Sequence, residues 1–233
     1  MAPPFLRIAA AVLALAAFGL TDASAQAAAK RKPVRPATPG ASASRMDFSQ
    51  RDDVRRFSAD LAARHGFVES ELNYLFARTR HYPAIIELIT PPANPRTRSW
   101  HAYRARFIEP IRIQAGVELW QRHAADLARA EAQYGVPAAI IVAIMGVETV
   151  YGRNSGNWRV IDALATLAFD YPRRAEFFRS ELENYLLFAR ERDIDVFSVR
   201  GSYAGAIGIP QFMPSSWRKW AVDFDGDGRI DLR

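Results

Sequence analysis

The chain has 233 residues, of which 49% are hydrophobic and 24% are charged, a composition typical of globular proteins. Its formal net charge is +6, and it contains no cysteine. The lack of cysteine excludes disulfides, thiolate metal sites, a cysteine nucleophile and the lipidated cysteine of a bacterial lipoprotein.

The first 25 residues have the pattern of a secretory signal peptide. Arg7 precedes an apolar stretch over residues 8–20, and the small residues Ala23-Ser24-Ala25 offer a cleavage site. The stretch is short for a membrane span, so we expect no membrane anchor. Residues 26–46 are rich in Ala, Pro and basic residues and predict a disordered linker. An exported chain without cysteine is expected in a bacterial periplasm.

The positive charge is concentrated before the predicted domain. Residues 1–45 carry a net charge of +5, and the remainder of the chain carries +1. A nucleic-acid-binding domain would need a basic face of its own. We therefore expect no nucleic acid among the partners of the domain over residues 47–233.

Apolar residues recur at helical spacing along most of this domain. A proline-rich loop is predicted over residues 90–98, and Gly135 and Pro137 mark the end of one helix and the start of the next. No segment alternates as a strand would. The sequence predicts a mainly α fold, with helices over residues 52–65, 70–78, 99–107, 110–134, 137–152, 160–169 and 173–192.

One carboxylate, Glu148, follows ten apolar or small residues (138–147). On a helix it lies one turn from Ile144, on a stripe expected to face the core. Gly146 nearby suggests a close packing contact, because glycine within a helix costs roughly 0.5–1 kcal/mol relative to alanine. Apolar surroundings would keep the carboxyl protonated and able to act as a general acid. The alternative is a glutamate that turns into solvent or pairs with Arg153.

A lone acid restricts the chemistry available to a glycosidase. Enzymes of that class ordinarily need two carboxylates, one for the leaving group and one as base or nucleophile. Downstream acids do not stand in comparable apolar runs, and Glu181 and Glu183 are predicted on an exposed helix face. A single acid suffices when the substrate brings its own nucleophile.

Three segments together resemble the lytic murein transglycosylase B family over residues 48–233: GVETVYGRNSGNWRVIDALATLAFDYPRRAEFF, GSYAGAIGIPQFMPSSW and AVDFDGDGRIDL. The resemblance implies a lysozyme-like, mainly α transglycosylase domain with an EF-hand-like loop. It also implies cleavage of the β-1,4 bond between N-acetylmuramic acid and N-acetylglucosamine in peptidoglycan, in which the C6 hydroxyl attacks and leaves a 1,6-anhydro end. Because the family's chains continue beyond the matched segment, we expect this sequence to be truncated at its C-terminus.

Matched by position, the family's catalytic glutamate is Glu148, acting first as acid and then as base. The resemblance implies no cofactor for this catalysis. Arginine forks suit the carboxylates of the peptide stem and lactyl group, and amides and aromatic rings suit sugars. The substrate-binding residues that the resemblance implies are Tyr103, Arg173, Arg174, Ser202, Gln211 and Phe212.

An acidic loop near the end of the chain has EF-hand spacing, with a glycine at its sixth position. Its twelfth position, which should add a carboxylate, would be residue 234. A structural Ca²⁺ is therefore expected with an incomplete ligand set. The candidate metal residues are Asp223, Asp225, Asp227, Arg229 and Asp231.

Two alternatives to the transglycosylase remain open at this point. A hydrolytic muramidase would let water attack and would need a second carboxylate in the groove. A non-catalytic peptidoglycan-binding protein would need no acid at all. The expected partners are peptidoglycan glycan strands, together with proteins of cell-wall synthesis or division.

Overall fold

The computed structural model describes residues 47–91 and 99–231. The predicted signal peptide (1–25), the predicted linker (26–46) and most of the loop predicted over residues 90–98 lie outside them. The mainly α prediction is confirmed, with ten α-helices in the described residues. They are α1 (Asp52–His65), α2 (Glu69–Arg78), α3 (Pro83–Ile89), α4 (Trp100–Arg104), α5 (Pro110–Arg122), α6 (Ala124–Tyr134), α7 (Ala138–Thr149), α8 (Val160–Asp170), α9 (Ala175–Glu191) and α10 (Pro214–Trp220).

Helix α8 is the centre of the larger of two hydrophobic clusters. Every residue from Val160 to Phe169 is buried, as expected of a helix that is apolar on all sides and packed on all sides. Helices α1, α2, α3, α9 and α10 contribute further buried side chains to this cluster, and so do the segments between helices, including Phe48, Tyr82 and Ile207. The two polar residues within this buried run have partners: Asp162 accepts from the Arg80 amide at 2.9 Å, and Thr166 Oγ1 accepts from the Tyr82 amide at 3.2 Å.

A smaller cluster joins α5, α6 and α7. Leu119, Leu127, Ala138 and Val142 are buried in it, and Met145 packs against them. Helix α7 therefore belongs to this smaller cluster. We call the regions around these two clusters the two lobes.

The helix predicted over residues 110–134 is wrong as a single element. The backbone leaves helical geometry at His123 (φ −118°, ψ 27°), so that α5 ends at Arg122 and α6 begins at Ala124. On a continuous helix Leu119 and Leu127 would point about 80° apart. The break allows both side chains to enter the same small cluster.

Other boundaries differ by less. Helices α3 and α10 were not predicted, and both begin with a proline at the first helical position. The helix predicted from residue 173 begins at Ala175, because Pro172–Arg174 form a 3₁₀ turn. The strands β1 (Trp158–Arg159) and β2 (Arg200–Gly201), also not predicted, form a short antiparallel ribbon with Trp158 opposite Gly201.

The expectation that Glu181 and Glu183 are exposed is wrong. Glu181 is 4% exposed, and the Glu183 side chain is 19% exposed and forms an ion pair with Arg64 at 2.6 Å. Both carboxylates lie on α9 near residues of the large cluster.

Within the described residues, no single helix is long and apolar enough to cross a membrane. Ala124–Tyr134 and Ala138–Thr149 reach that length and apolarity only as a pair, which is bent by 112°.

Candidate active site

Glu148 lies in the last turn of α7, at the edge of the helix face that the lobe buries. The buried positions around it are Val142, Gly146 and Thr149. The stripe that faces the core is therefore displaced by about one residue from the predicted stripe, which contained Ile144 and Glu148. Glu148 is half-buried. The predicted alternative of an ion pair with Arg153 is not observed. Arg153 is exposed, and its side chain forms no ion pair or hydrogen bond with Glu148.

The Glu148 carboxyl differs from the other buried carboxyls of the described residues in having no polar partner. Over residues 47–91 and 99–231 it is the only buried or half-buried carboxyl without a hydrogen bond or ion pair. Burial raises its pKa, and no neighbouring charge offsets this effect. A carboxyl that keeps its proton nearer to neutral pH, and has that proton uncommitted, can act as a general acid.

The close packing that Gly146 predicts is with Tyr151. A Cβ atom at Gly146 would lie 2.8 Å from Tyr151 Cζ, and one at Gly116 of α5 would lie 3.0 Å from the same atom. Real Cβ atoms do not approach neighbours this closely. The tyrosine ring therefore fills a slot between α5 and α7 that exists because both positions are glycine.

The chain turns sharply after Glu148 to place this ring. Val150 and Tyr151 both have left-handed backbone angles (φ 52° and 59°), and both donate their amides to the Met145 carbonyl. The Gly146 carbonyl is capped instead by Arg112 of α5, whose Nη1 donates to it at 3.0 Å. Two consecutive left-handed residues other than glycine are costly. The surrounding contacts hold them in place.

Thr149 connects the end of α7 to the segment 200–213. Its Oγ1 donates to the Ile209 carbonyl at 3.0 Å and accepts from the Gly152 amide at 2.9 Å. The residue beside Glu148 thus fixes the helix end against the loop that carries three of the predicted site residues.

Two of these, Ser202 and Gln211, organise the loop. Ser202 Oγ accepts from the Ala206 amide at 3.1 Å. Gln211, which has a left-handed backbone (φ 52°), donates Nε2 to the carbonyls of Ser155 at 3.1 Å and Gly208 at 2.9 Å. Within the described chain its Oε1 has no partner and can accept a hydrogen bond from a ligand.

Phe212 is half-buried, packs against the large cluster and pairs its backbone with Ile207. Close backbone packing joins the same loop to the turn that follows α7. A Cβ at Gly156 would lie 2.5 Å from the Ser202 amide. The structure therefore brings Ser202, Gln211 and Phe212 together in one loop, next to the helix end that carries Glu148.

Arg173 and Arg174 are exposed in the 3₁₀ turn between α8 and α9. They line a depression of about 520 Å³ with Phe177 and Arg179, and the Arg174 guanidinium stacks on the Phe177 ring at 4.1 Å. Arg179 was not predicted as a site residue. The contacts of the arginine pair do not reach Glu148.

Tyr103 of α4 lies against another face of α7. It lines a mostly apolar depression with Trp100, Phe107, Val147 and Tyr151, and stacks on Trp100 with 5.8 Å between ring centroids. Glu148 is not among the lining residues. The structure thus brings Tyr103 to the helix that carries Glu148, but not to the same depression.

Other buried carboxylates have polar partners. Glu181 accepts from the Ser215 hydroxyl at 2.6 Å and the Ser215 amide at 2.9 Å, and so caps the start of α10. Burial raises its pKa, and these hydrogen bonds and Arg174 oppose the rise. Asp162 pairs with Arg159 at 2.6 Å, and Asp170 pairs with Arg51 at 2.7 Å. These groups are committed to the fold.

The acidic loop brings three of its predicted ligands together. Carboxylate oxygens of Asp223, Asp225 and Asp227 lie within 4.8 Å of one another. Asp223 accepts from the amides of Gly226 at 2.8 Å and Gly228 at 2.9 Å, and the Gly228 bond is the main reason that its pKa is lowered. Clustered oxygen donors on a glycine turn fit a hard divalent cation. The predicted Arg229 and Asp231 are exposed and lie outside this group.

Residues at both ends of the acidic loop contact the domain. Arg129 of α6 donates to the Phe224 carbonyl at 2.8 Å and stacks on the Phe224 ring at 3.8 Å. Ile230 packs against the large cluster. The acidic loop therefore contacts both lobes.

Comparison with known proteins gives a consistent result. Residues 49–233 match the family described as Transglycosylase SLT domain. The chain is 43% identical over 195 residues to membrane-bound lytic murein transglycosylase B of Escherichia coli, covering 80% of this chain and 54% of that protein. It spans between about half and three-fifths of the length of this relative and of the solved structures named next.

The fold matches solved structures. Soluble lytic transglycosylase SltB1 of Pseudomonas aeruginosa is 53% identical with a TM-score of 0.74, covering 77% of this chain and 60% of that one. E. coli Slt35 in complex with calcium is 43% identical with a TM-score of 0.75, covering 80% and 59%. P. aeruginosa SltB3 in complex with NAG-NAM-pentapeptide is 35% identical with a TM-score of 0.68, covering 76% and 47%. The predicted lysozyme-like transglycosylase fold is confirmed, and the chain belongs to the lytic transglycosylase SLT family.

Proposed function

We propose that this protein is a peptidoglycan lytic transglycosylase. It cleaves the β-1,4 bond between N-acetylmuramic acid and N-acetylglucosamine and leaves a 1,6-anhydro end. The observation that carries the proposal is the Glu148 carboxyl, half-buried with a raised pKa and no polar partner in the described chain. Family membership supports it, as do the names of the E. coli and P. aeruginosa relatives.

In the proposed reaction, protonated Glu148 donates its proton to the glycosidic oxygen as the bond from that oxygen to the anomeric carbon breaks. The resulting carboxylate then accepts the proton of the muramic acid's C6 hydroxyl while the C6 oxygen bonds to the anomeric carbon. The proton is returned to Glu148, and no water is consumed. The reaction therefore requires one carboxyl group and no metal or other cofactor.

The substrate-binding residues remain proposals. Gln211 Oε1 can accept a hydrogen bond from the N–H of an N-acetyl group. Phe212 of the same loop can pack its aromatic ring against a sugar. The exposed guanidinium groups of Arg173 and Arg174 suit carboxylates of the stem peptide or lactyl group. Tyr103 would contact the substrate from its own apolar depression beside α7, and Ser202 from the loop that carries Gln211 and Phe212. SltB3, whose complex contains a NAG-NAM-pentapeptide, is a relative that binds such a ligand.

A hydrolytic muramidase is less well supported. It would need a second carboxylate near the scissile bond to activate water or to act as the nucleophile. Glu181 is the candidate whose pKa is raised by burial, but both of its oxygens accept hydrogen bonds from Ser215. Using Glu181 as a base would uncap α10.

Calcium binding is proposed as a structural role of the acidic loop. Asp223, Asp225 and Asp227 would hold the ion, and the charge it supplies would offset the repulsion between their carboxylates. The structure of Slt35 with calcium supports this proposal. We also propose the periplasm as the site of action, because peptidoglycan is the substrate and the first 25 residues have a signal pattern.

The experiment that tests the proposed function compares the chain with its Glu148→Gln variant. We expect the variant to lose cleavage of purified peptidoglycan while it keeps its circular dichroism spectrum and its sedimentation with insoluble peptidoglycan. Glu87→Gln is a matched control, since Glu87 is an exposed carboxylate on α3 and lines none of the depressions described above. Full activity of Glu148→Gln would refute the assignment. Retained binding without cleavage in the unmodified chain would favour a non-catalytic binding protein.

A further inference from the structure

A third depression lies at the β1–β2 ribbon, outside the proposed active site. It has a volume of about 240 Å³ and is lined by Arg80, Tyr82, Asn157, Trp158, Arg159 and Arg200. These residues come from the segment before α3, from β1 with the residue before it, and from β2. We call this depression the ribbon pocket.

The ribbon pocket holds more positive charge than the fold neutralises. Arg159 is paired with the buried Asp162, its Nε and Nη2 donating to the two carboxylate oxygens at 2.6 and 2.8 Å. Arg80 and Arg200 are exposed and form no ion pair with the described residues. No lining residue is acidic, so two guanidinium charges remain for a ligand.

The fold orients these two arginines. Arg200 Nη1 donates to the Asn157 carbonyl at 2.9 Å, which ties the side chain to the opposite side of the ribbon. The backbone amide of Arg80 donates to Asp162 at 2.9 Å, and its guanidinium interacts with the Tyr82 side chain. Each guanidinium group is thus held in place by a contact within the protein. Each also keeps N–H groups that can donate hydrogen bonds to a ligand.

One wall of the ribbon pocket is aromatic. The rings of Tyr82 and Trp158 meet edge to face, with 5.2 Å between centroids and an interplanar angle of 77°. Tyr82 is buried and Trp158 is half-buried against the large cluster. An apolar wall lowers the local dielectric and strengthens the attraction between a guanidinium and an anion.

The size of the ribbon pocket limits its ligand. Pockets that enclose drug-sized molecules run from about 300 to 1,000 Å³, so this pocket suits one residue rather than a disaccharide. Two arginine forks beside an aromatic wall suit a carboxylate on a short aliphatic group. A peptide end has this chemistry, and a neutral sugar does not.

The ribbon also connects this pocket to the proposed substrate-binding loop. Trp158 pairs with Gly201, which is followed directly by Ser202, and Gly156 packs against the same two residues. A glycan bound along that loop would carry its peptide substituents within reach of the ribbon.

We propose that the ribbon pocket binds a carboxylate of the peptidoglycan stem peptide, through Arg80 and Arg200. This inference rests on the proposed function for the identity of the ligand. It assigns peptide recognition to a site distinct from Arg173 and Arg174, which lie in the turn between α8 and α9. The chain would then bind peptide-bearing strands in preference to bare glycan.

The test uses a stem tetrapeptide with free carboxylates and the same peptide with every carboxylate amidated. Binding is measured by isothermal titration calorimetry to the unmodified chain, to Arg80→Gln/Arg200→Gln and to Arg55→Gln/Arg56→Gln. The last variant removes the same charge from exposed positions of α1. We expect the pocket variant to bind the free peptide about tenfold more weakly or worse, and the control to bind it as the unmodified chain does. Amidation of the peptide should have a similar effect.

Two further readouts locate the binding. The indole N–H resonance of Trp158, assigned with Trp158→Phe, should shift on addition of the free peptide and not of the amidated one. Arg80→Lys/Arg200→Lys keeps both charges and should recover part of the affinity. No such recovery is expected if substitution at these two positions weakens binding by disrupting the structure of the pocket.

Unchanged affinity in the pocket variant would overturn the proposal and return peptide recognition to Arg173 and Arg174. An equal loss of affinity for peptide-free glycan would overturn it as well, because the pocket would then bind sugar. Peptidoglycan cleavage is assayed separately. Absence of anhydro products with carboxylate binding intact would count against the proposed function and not against the ribbon pocket.

Discussion

The ring of Tyr151 occupies the space that a side chain at Gly146 would need. A Cβ built at Gly146 lies 2.8 Å from Tyr151 Cζ, and Gly146 precedes Glu148 by two residues on α7. Tyr151 is itself the second of two consecutive left-handed residues, after Val150, and so its packing and the turn after Glu148 depend on each other.

Gly146→Ala should therefore destabilise the protein. Alanine gains about 0.5–1 kcal/mol of helix stability over glycine. Forcing a methyl group against a packed ring costs about 1–3 kcal/mol, so the loss should dominate. Urea unfolding measures the change. In a Tyr151→Leu background the cost of Gly146→Ala should shrink, since the clash is removed. An equal cost in both backgrounds would show that Tyr151 is not the cause.

Glu148→Gln should change the pH dependence of stability. Burial raises the pKa of Glu148 in the folded state, so the folded carboxyl holds its proton at pH values where the unfolded one has lost it. The stability this provides is present below about pH 4 and lost as the pH rises through the folded pKa. Glutamine carries no charge. The variant should therefore gain stability relative to the unmodified chain between pH 4 and pH 7 in denaturant titrations. A constant difference over that range would mean that the pKa is not raised.

Thr149→Val should loosen the contact between α7 and the substrate-binding loop. It removes the hydrogen bond to the Ile209 carbonyl and leaves the Gly152 amide without its acceptor. The expected cost is about 1–3 kcal/mol of unfolding free energy, with a loss of cleavage activity. Thr149→Ser keeps the hydroxyl and is the control. If serine is as damaging as valine, the methyl group rather than the hydrogen bonds holds the loop.

Asp225→Ala should lower the thermal stability only when calcium is present. Calcium at one hundred times its dissociation constant stabilises the folded state by about 2.7 kcal/mol, and removing a ligand removes much of that. The melting temperatures of both chains are compared in calcium and in chelator, using differential scanning calorimetry. A similar loss in chelator would assign the acidic loop a packing role through Phe224 and Ile230.

Glycines marked the ends of two predicted helices, but a proline at the start was not sufficient, because α3 and α10 begin at Pro83 and Pro214 and were not predicted. Gly66 and Gly135 adopt the left-handed angles expected after α1 and α6. The break at His123 carries no such marker, because it depends on how α5 and α6 share the small cluster. Helix α10 was missed because its segment mixes turn and apolar residues.

The partial burial of Glu148 could be predicted from the sequence, but the groups that surround its carboxyl could not. The apolar run before Glu148 indicated burial, and the structure adds that no polar group meets it. Glu181 shows the converse. It lies beside Phe178, Leu182 and Tyr185, which form a buried face of α9, so its spacing could have indicated burial. Its partner, Ser215, is 34 residues away and only the tertiary structure brings them together.

The ribbon pocket was likewise invisible to sequence analysis. Arg80, Trp158 and Arg200 are far apart in the chain, and none of the three was itself assigned a role. They meet because a two-residue ribbon packs against the segment before α3.

The most direct test of the central claim is the mass of the products. Purified peptidoglycan is digested with this chain and, in parallel, with Glu148→Gln, and the released muropeptides are measured by mass spectrometry. If the proposed transglycosylase reaction is right, the products are one water lighter than the corresponding reducing muropeptides, and the variant releases none. Products with reducing muramic acid ends would contradict it, because water rather than the C6 hydroxyl would then be the nucleophile.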